Sequence, residues 1–237
     1  MPEKIVLVLQ ARLDSSRLPG KSLLPLGIKK SQPFILCVME ALKHVKASEY
    51  VLACPDDCIS EFSSLAKEAG FELFAGPKED VLERYCMAAR NFDANYIIRA
   101  TGDNPFVFAD SATAIAGEAL SLNSDYAAYS GLPLGSGVEV VKVSALLQSG
   151  KNAVEPYERE HVCPHLYGHP DKFLLHRPLA PVCWQNPSLR LTVDTHKDYL
   201  AAQSLYAELE KTECSLQRHN GETILKICRQ VFPEMFL

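Results

Sequence analysis

Residues 5–21 read Ile5-Val6-Leu7-Val8-Leu9-Gln10-Ala11-Arg12-Leu13-Asp14-Ser15-Ser16-Arg17-Leu18-Pro19-Gly20-Lys21. The run 5–9 is apolar without polar alternation, which predicts a first strand buried on both faces. The turn that leaves it gathers Arg12, Arg17 and Lys21, the hydroxyls of Ser15 and Ser16, and the pair Pro19-Gly20. At the carboxyl end of a parallel strand, such a loop suits a polyphosphate. The cations neutralise charge, while backbone N–H groups and serine hydroxyls satisfy the oxygens. Two familiar phosphate motifs do not fit. Gly20-Lys21-Ser22 looks like the end of a Walker A loop, but Ser15 stands where that motif needs its first glycine. No G-x-G-x-x-G follows the strand either, so a dinucleotide site has no support. The plain alternative is a solvated basic turn. Asp14 adds a negative charge inside the loop, which either orients Arg12 or Arg17 by ion pairing or weakens triphosphate binding.

Outward from this loop, strand-like runs at 50–54, 71–74, 96–99, 126–129, 138–143 and 189–193 alternate with amphipathic stretches. Those lie at 33–45, 59–69, 81–92, 111–121, 197–211 and 222–231. Ser31 before Pro33, Gly70 and Asp80 stand where helix boundaries are expected. Strand–helix alternation implies crossover connections and a mainly parallel sheet covered on both faces, an α/β fold. One domain spanning 1–237 is the economical reading. The stretch 131–185, rich in Pro and Gly, breaks the alternation and reads as an insertion or a dimer arm.

The chain has 237 residues, enough for a substantial core, and a formal net charge of −5. No basic stripe runs along a predicted helix, so a nucleic-acid partner is not expected, and a small anionic ligand fits better. The apolar stretch after Met1-Pro2-Glu3-Lys4 is too short for a signal peptide, and no run approaches membrane-spanning length. A cytoplasmic protein without a membrane partner is expected. The eight cysteines are scattered and read as reduced, mostly buried thiols. Cys54 and Cys58 lack a second pair to complete a zinc site.

Two further segments carry chemistry. Residues 95–106 form an apolar strand ending in Thr101-Gly102-Asp103-Asn104-Pro105, where Gly102 permits close backbone approach. There Asp103 could hold a divalent ion against phosphates. Residues 189–198 repeat the design, with Asp194 at the tip of a strand and a helix following. Two aspartates at the ends of parallel strands can converge on one metal. Each also has an ordinary reading: Asp103 in turn chemistry, and Asp194 as a helix cap. His161, His165 and His169 fall at four-residue spacing, but Pro164 and Gly168 argue against the unbroken helix that would align them as zinc ligands. Trp184 fits a core or an interface position.

Taken in order, the blocks Ala11-Arg12-x-x-Ser15-x-Arg17-Leu18-Pro19-Gly20-Lys21, Asp80-Val81-Leu82-Glu83-Arg84-Tyr85, Arg99-x-Thr101-Gly102-Asp103-x-Pro105, Gly137-Val138-Glu139-Val140, Glu158-Arg159-Glu160-His161-Val162 and Arg190-Leu191-Thr192-Val193-Asp194 span nearly the whole chain. In them the chain resembles the cytidylyltransferases of sugar-nucleotide synthesis, related to CMP-Kdo synthetase, and most of all the spore-coat polysaccharide branch. The resemblance implies a three-layer α/β/α nucleotide-diphospho-sugar transferase fold, glycosyltransferase-A-like, with a mainly parallel but mixed sheet. It also implies a reaction: a sugar hydroxyl attacks the α-phosphate of CTP and pyrophosphate leaves. By that resemblance Arg12, Arg17 and Lys21 hold the triphosphate, together with Ala11, Ser15, Gly20, Thr101 and Gly102. Arg84 contacts the nucleotide, although it also reads as a surface partner of Asp80. Arg12, Lys21 and Asp103 are the catalytic set. Asp103 and Asp194 hold Mg²⁺, with Mn²⁺ as a substitute. Glu139, Glu160 and His161 face a small sugar-like acceptor: a keto sugar acid, another acidic sugar, or a phosphorylated alditol or sugar. A homodimer is also implied. Two alternatives share the architecture, a glycosyltransferase consuming a nucleotide sugar and a non-catalytic nucleotide-binding relative. Glycosyltransferases of this type usually carry Asp-x-Asp, where this chain has one acid.

Overall fold

Successive residues of β1 (Ile5–Gln10) point to opposite faces, and both faces are covered. Leu7 and Leu9 enter one apolar core, while Val6 and Val8 enter a second. The computed structural model describes residues 3–27, 31–212 and 215–236. In it, β1 lies inside a seven-stranded sheet with β2 (Glu49–Pro55), β3 (Glu72–Gly76), β4 (Tyr96–Thr101), β5 (Tyr126–Ala127), β6 (Glu139–Lys142) and β7 (Leu175–His176). The order is β3-β2-β1-β4-β6-β5-β7. The first four strands are mutually parallel, β6 runs antiparallel to both neighbours, and β7 is parallel to β5. In the β4–β6 register Arg99 lies opposite Glu139.

The first core is closed by α1 (Phe34–Leu42), α2 (Ile59–Ala69), α4 (Ala109–Ser121), α8 (His196–Leu209) and α10 (Gly221–Val231). The second is closed by α3 (Val81–Asn91), α5 (Val143–Asn152) and the short α7 (Pro164–Tyr167), with α6 (Pro156–His161) packed on α3. A four-residue α9 (Ser215–Arg218) precedes α10. The expected three-layer fold with a mixed, mainly parallel sheet is therefore present. From β1 the chain winds outward to β2 and β3, then crosses back to β4 on the other side. Their loops part at that reversal, and a crevice opens at the carboxyl ends of β1 and β4.

Local chemistry explains most boundaries. Gly70 ends α2 in the left-handed conformation at φ 68°. Asp80 caps α3 by accepting the Glu83 N–H at 2.9 Å. Two expected caps are replaced. The N-cap of α1 is Pro33 and not Ser31, and no side chain among the described residues caps there. At α8 the cap is Thr195, in a reciprocal box with Asp198, and not Asp194.

The run 189–193 is a second correction. It is extended and buries Leu189, Leu191 and Val193, but it is not a strand of the sheet. Its backbone partners are Leu134, with which it makes an isolated bridge, and Asp103, whose carbonyl accepts the Val193 N–H at 2.9 Å. Those loops are too irregular to offer a ladder. In the stretch 131–185, β6 sits inside the sheet, and Val162, Cys163, Leu166 and Phe173 fill the second core. Trp184 packs on Tyr129 with ring centroids 5.9 Å apart and donates to Asp110 at 3.1 Å. The described cysteines are free, and all but Cys183 are buried. Cys214 lies outside the described residues. Among the described residues, no helix is long and apolar enough to cross a membrane.

Candidate active site at the carboxyl ends of β1 and β4

A cleft of about 280 Å³ opens at the reversal between β1 and β4. Its first rim is the loop after β1. Gly20 adopts φ 67°, a left-handed turn that begins a short 3₁₀ segment, Lys21–Leu23. That turn sends the Lys21 side chain inward, where it is 8% exposed and donates from Nζ to the Val193 carbonyl at 2.6 Å. Burial pulls the Lys21 pKa below its ordinary value, against the raising effect of Asp103 and Asp194. Arg12 and Arg17 remain largely exposed at the same rim.

The opposite rim comes from the loop after β4 and the extended run before α8. Asp103 accepts from the Thr101 hydroxyl at 2.5 Å, and that hydroxyl accepts from the Asn104 amide at 2.8 Å. Asp194 accepts from Arg17 at 2.7 Å and from Arg190. Gly102 also has a packing role. A Cβ there would lie 3.0 Å from both the Ala11 Cβ and the Gln10 carbonyl, so the glycine lets the two loops pack together.

The floor is built by buried cations. Arg84 is 2% exposed and donates to the Pro77 carbonyl at 2.6 Å. The glycine at position 76 makes room for its stem, because a Cβ there would meet the Arg84 Cγ at 3.0 Å. The reading of Arg84 as a surface partner of Asp80 therefore fails. Asp80 pairs instead with Arg159. Arg84 Nε has no hydrogen-bond partner among the described residues, and burial lowers the Arg84 pKa.

Ala11, Arg12, Ser15, Arg17, Lys21, Arg84, Thr101, Gly102, Asp103, Glu160, His161 and Asp194 all line the cleft. Gly20 shapes its wall from outside. Glu139 does not line it. This carboxylate accepts from Arg99 at 2.5 Å and from the Tyr126 hydroxyl at 2.8 Å, which places it behind the wall. Arg99 itself lines the cleft and was not anticipated as a site residue, nor were Gln10 and Lys78. Lys78 follows β3, at the same end of the sheet as the other loops, and bridges Asp14 and Asp57 at 2.9 Å each. The rule that parallel strands present ligands from their carboxyl ends would have found it. The Lys78 hydrogen bond leads the lowering of the Asp14 pKa, with Coulombic help from Arg12. Asp14 is thus held by loop cations.

Comparison with known proteins identifies the family. Residues 6–228 match the model of the family described as Cytidylyltransferase. The chain belongs to the cytidylyltransferase family. An uncharacterized protein of Methanocaldococcus jannaschii is 34% identical over 88% of this chain and 84% of its own. The spore coat polysaccharide biosynthesis protein SpsF of Bacillus subtilis is 33% identical over 85% and 86%. Among solved structures, a cytidylyltransferase from Leptospira borgpetersenii is similar in fold, with a TM-score of 0.86 at 24% identity over 98% of this chain and 96% of that one. CMP-2-keto-3-deoxy-manno-octonic acid synthetase complexed with CTP gives a TM-score of 0.68 at 17% identity, over 87% and 99%. As a cytidylyltransferase the protein is a nucleotidyltransferase, which sets aside the glycosyltransferase alternative.

Proposed function

We propose that the enzyme transfers CMP from CTP to a hydroxyl of a small sugar-like acceptor, releasing pyrophosphate, in the synthesis of a surface polysaccharide or glycoconjugate. The observation that carries this reading is the facing of three cations, Arg12, Arg17 and Lys21, against two carboxylates, Asp103 and Asp194, across one cleft. SpsF, by its name, serves spore-coat polysaccharide biosynthesis. 3-Deoxy-manno-octulosonate cytidylyltransferases from three bacteria align with about half of this chain at 30–33% identity.

In this reading Arg12, Arg17 and Lys21 bind the triphosphate and neutralise it. Lys21, buried and tethered to Val193, is preorganised, so its charge acts without reorganisation when pyrophosphate leaves. The acceptor oxygen forms a bond to the α-phosphorus as the bond to the β-phosphate oxygen breaks, and the hydroxyl proton is released. Positioning and charge neutralisation supply most of the acceleration, and no covalent intermediate is needed. The donor set suits Mg²⁺, with Mn²⁺ as a substitute, because Asp103 and Asp194 offer hard carboxylate oxygens to one cleft and both act electrostatically on Lys21. When bound, the ion supplies charge on the phosphate oxygens and lowers the pKa of a coordinated hydroxyl. Glu160 and His161, exposed at the cleft mouth, orient the acceptor. The enzyme acts as a homodimer joined through 131–185, where Leu134, Leu179 and Val182 are exposed. Light scattering that finds only monomer would refute the dimer.

The test of the reaction is thermal stabilisation by each nucleoside triphosphate with and without Mg²⁺, followed by a pyrophosphate-release assay across sugar acceptors. A ligand at about a hundred times its dissociation constant adds about 2.7 kcal/mol to native stability. Selective, Mg²⁺-dependent stabilisation by CTP is expected. No shift with any triphosphate would overturn the reading.

A further inference from the structure

Outside the cleft, one donor atom from each of Glu158, His165 and His169 falls within 4.8 Å of the others. It is the one such group of three or more His, Cys, Asp and Glu donors among the described residues. The histidine spacing in the sequence suggests a different set, with His161 in it. The structure separates His161 because the chain breaks at Val162, which has φ 71° and ψ −58°. The Cys163 N–H donates to the His161 carbonyl across it at 2.8 Å, closing a γ-turn. A buried β-branched residue at positive φ is strained. The turn sends His161 toward the cleft and leaves Glu158 on one side, with His165 and His169 on the other.

The donors are poised. His165 is 6% exposed, and its Nδ1 lies 3.0 Å from Glu158 Oε1, a hydrogen bond that an ion held between the two atoms would replace. His169 Nδ1 lies 2.7 Å from the His165 carbonyl. A carbonyl can only accept, so His169 carries its proton on Nδ1 and presents Nε2 with a free lone pair. A backbone carbonyl fixing the far nitrogen is the usual support for a metal-bound imidazole. The helices on either side, α6 and α7, have six and four residues. Neither is long enough to hold itself.

We infer that Glu158, His165 and His169 form a site for one divalent transition-metal ion of the zinc type, which spans the Val162 turn and fixes the segment carrying Glu160 and His161 to the cleft. Two imidazoles and a carboxylate are a borderline-soft donor set that favours Zn²⁺ over Mg²⁺. The site is separate from the carboxylates that face Lys21, and it stands whether or not the acceptor is a sugar.

The full chain, stripped with chelator, is titrated with Zn²⁺ against a chromophoric competitor and with Co²⁺ by visible absorption. The wild type and His161→Ala are expected to bind one equivalent with a tetrahedral or five-coordinate Co²⁺ spectrum. His169→Ala, at a half-exposed position that folding tolerates, is expected to lose affinity by about 100-fold or more and to lose the spectrum. Glu158→Gln should weaken binding in the same sense. Asp103→Ala should retain the Co²⁺ spectrum, which separates this site from the cleft. Absence of binding by the wild type, or equal binding by His169→Ala, would overturn the assignment.

Discussion

The two sides of the cleft hold their cations differently. On the phosphate-loop side, Arg12 and Arg17 are exposed, and their carboxylate partners, Asp14 and Asp194, sit on loops. On the β4–β6 side, Arg99 is almost enclosed. Its guanidinium is paired with Glu139, lies 5.9 Å from the Tyr85 ring centroid, and has Tyr126 completing the carboxylate's partners. Burial is the largest single influence and disfavours the charge of Arg99, yet the field and hydrogen bond of Glu139, added to those of its other neighbours, together outweigh it and the pKa rises. The same carboxylate adds to the burial that drives the Cys163 thiol far above its usual range. Exposed pairs are worth about 0–1 kcal/mol and are cheaply exchanged for a ligand. Enclosed pairs are costly to break. One side is built to trade partners and the other to keep them.

That contrast can be broken in four ways. The largest effect should come from Asp103→Ala, which removes a carboxylate that faces the phosphate-loop cations from the loop after β4. Turnover is expected to fall about 10³-fold with melting unchanged, by pyrophosphate release and calorimetry. An unchanged rate would show that this rim does not carry the chemistry. Next, Glu139→Gln strands the Arg99 charge and should destabilise the fold by about 3 kcal/mol in urea unfolding. A loss under 1 kcal/mol would mean the pair is as exchangeable as the others. Third, Arg17→Ala should weaken CTP binding by about tenfold, measured by titration calorimetry, with little change in stability. The smallest effect belongs to Asp14→Asn, where a change in CTP affinity of less than about fivefold is expected.

A pH series sharpens the same contrast. Triphosphate binding needs the protonated Lys21. Its pKa is lowered from 10.5 by burial, so affinity should hold at neutral pH and decay on the alkaline side before 10.5 is reached. Lys21→Arg, which cannot lose its proton in that range, should flatten the decay. A decay that persists in the variant would assign it to another group.

The parts of the molecule governed by local pattern were readable in the sequence. The run 5–9, Gly70 and Asp80 act through their own periodicity, backbone freedom or side-chain reach, and each stands where the sequence placed it. The misreadings share another cause. Residues 189–193 alternate like a strand, but their hydrogen bonds go to loops that only the fold brings near. Thr195 displaces Asp194 as the cap because Asp198 completes the box with it. Arg84 is charged and helical, and nothing nearby in the sequence signals the room left at position 76. Arg99 and Lys78 sit at strand ends, which the sequence shows, but their facing into one crevice depends on the winding of the chain around β1.

The register of β6 has a consequence for how this sheet assembles. A slip of one residue would bring Val140 opposite Arg99 and turn Glu139 toward the layer that now holds Val140, Ile98 and Leu7. Both charges would then be enclosed without a counter-charge, a penalty of several kcal/mol in each direction. The single reversed inner strand, which has only four residues to align it, therefore carries its own proofreading. A misaligned sheet is disfavoured by its electrostatics as well as by its packing.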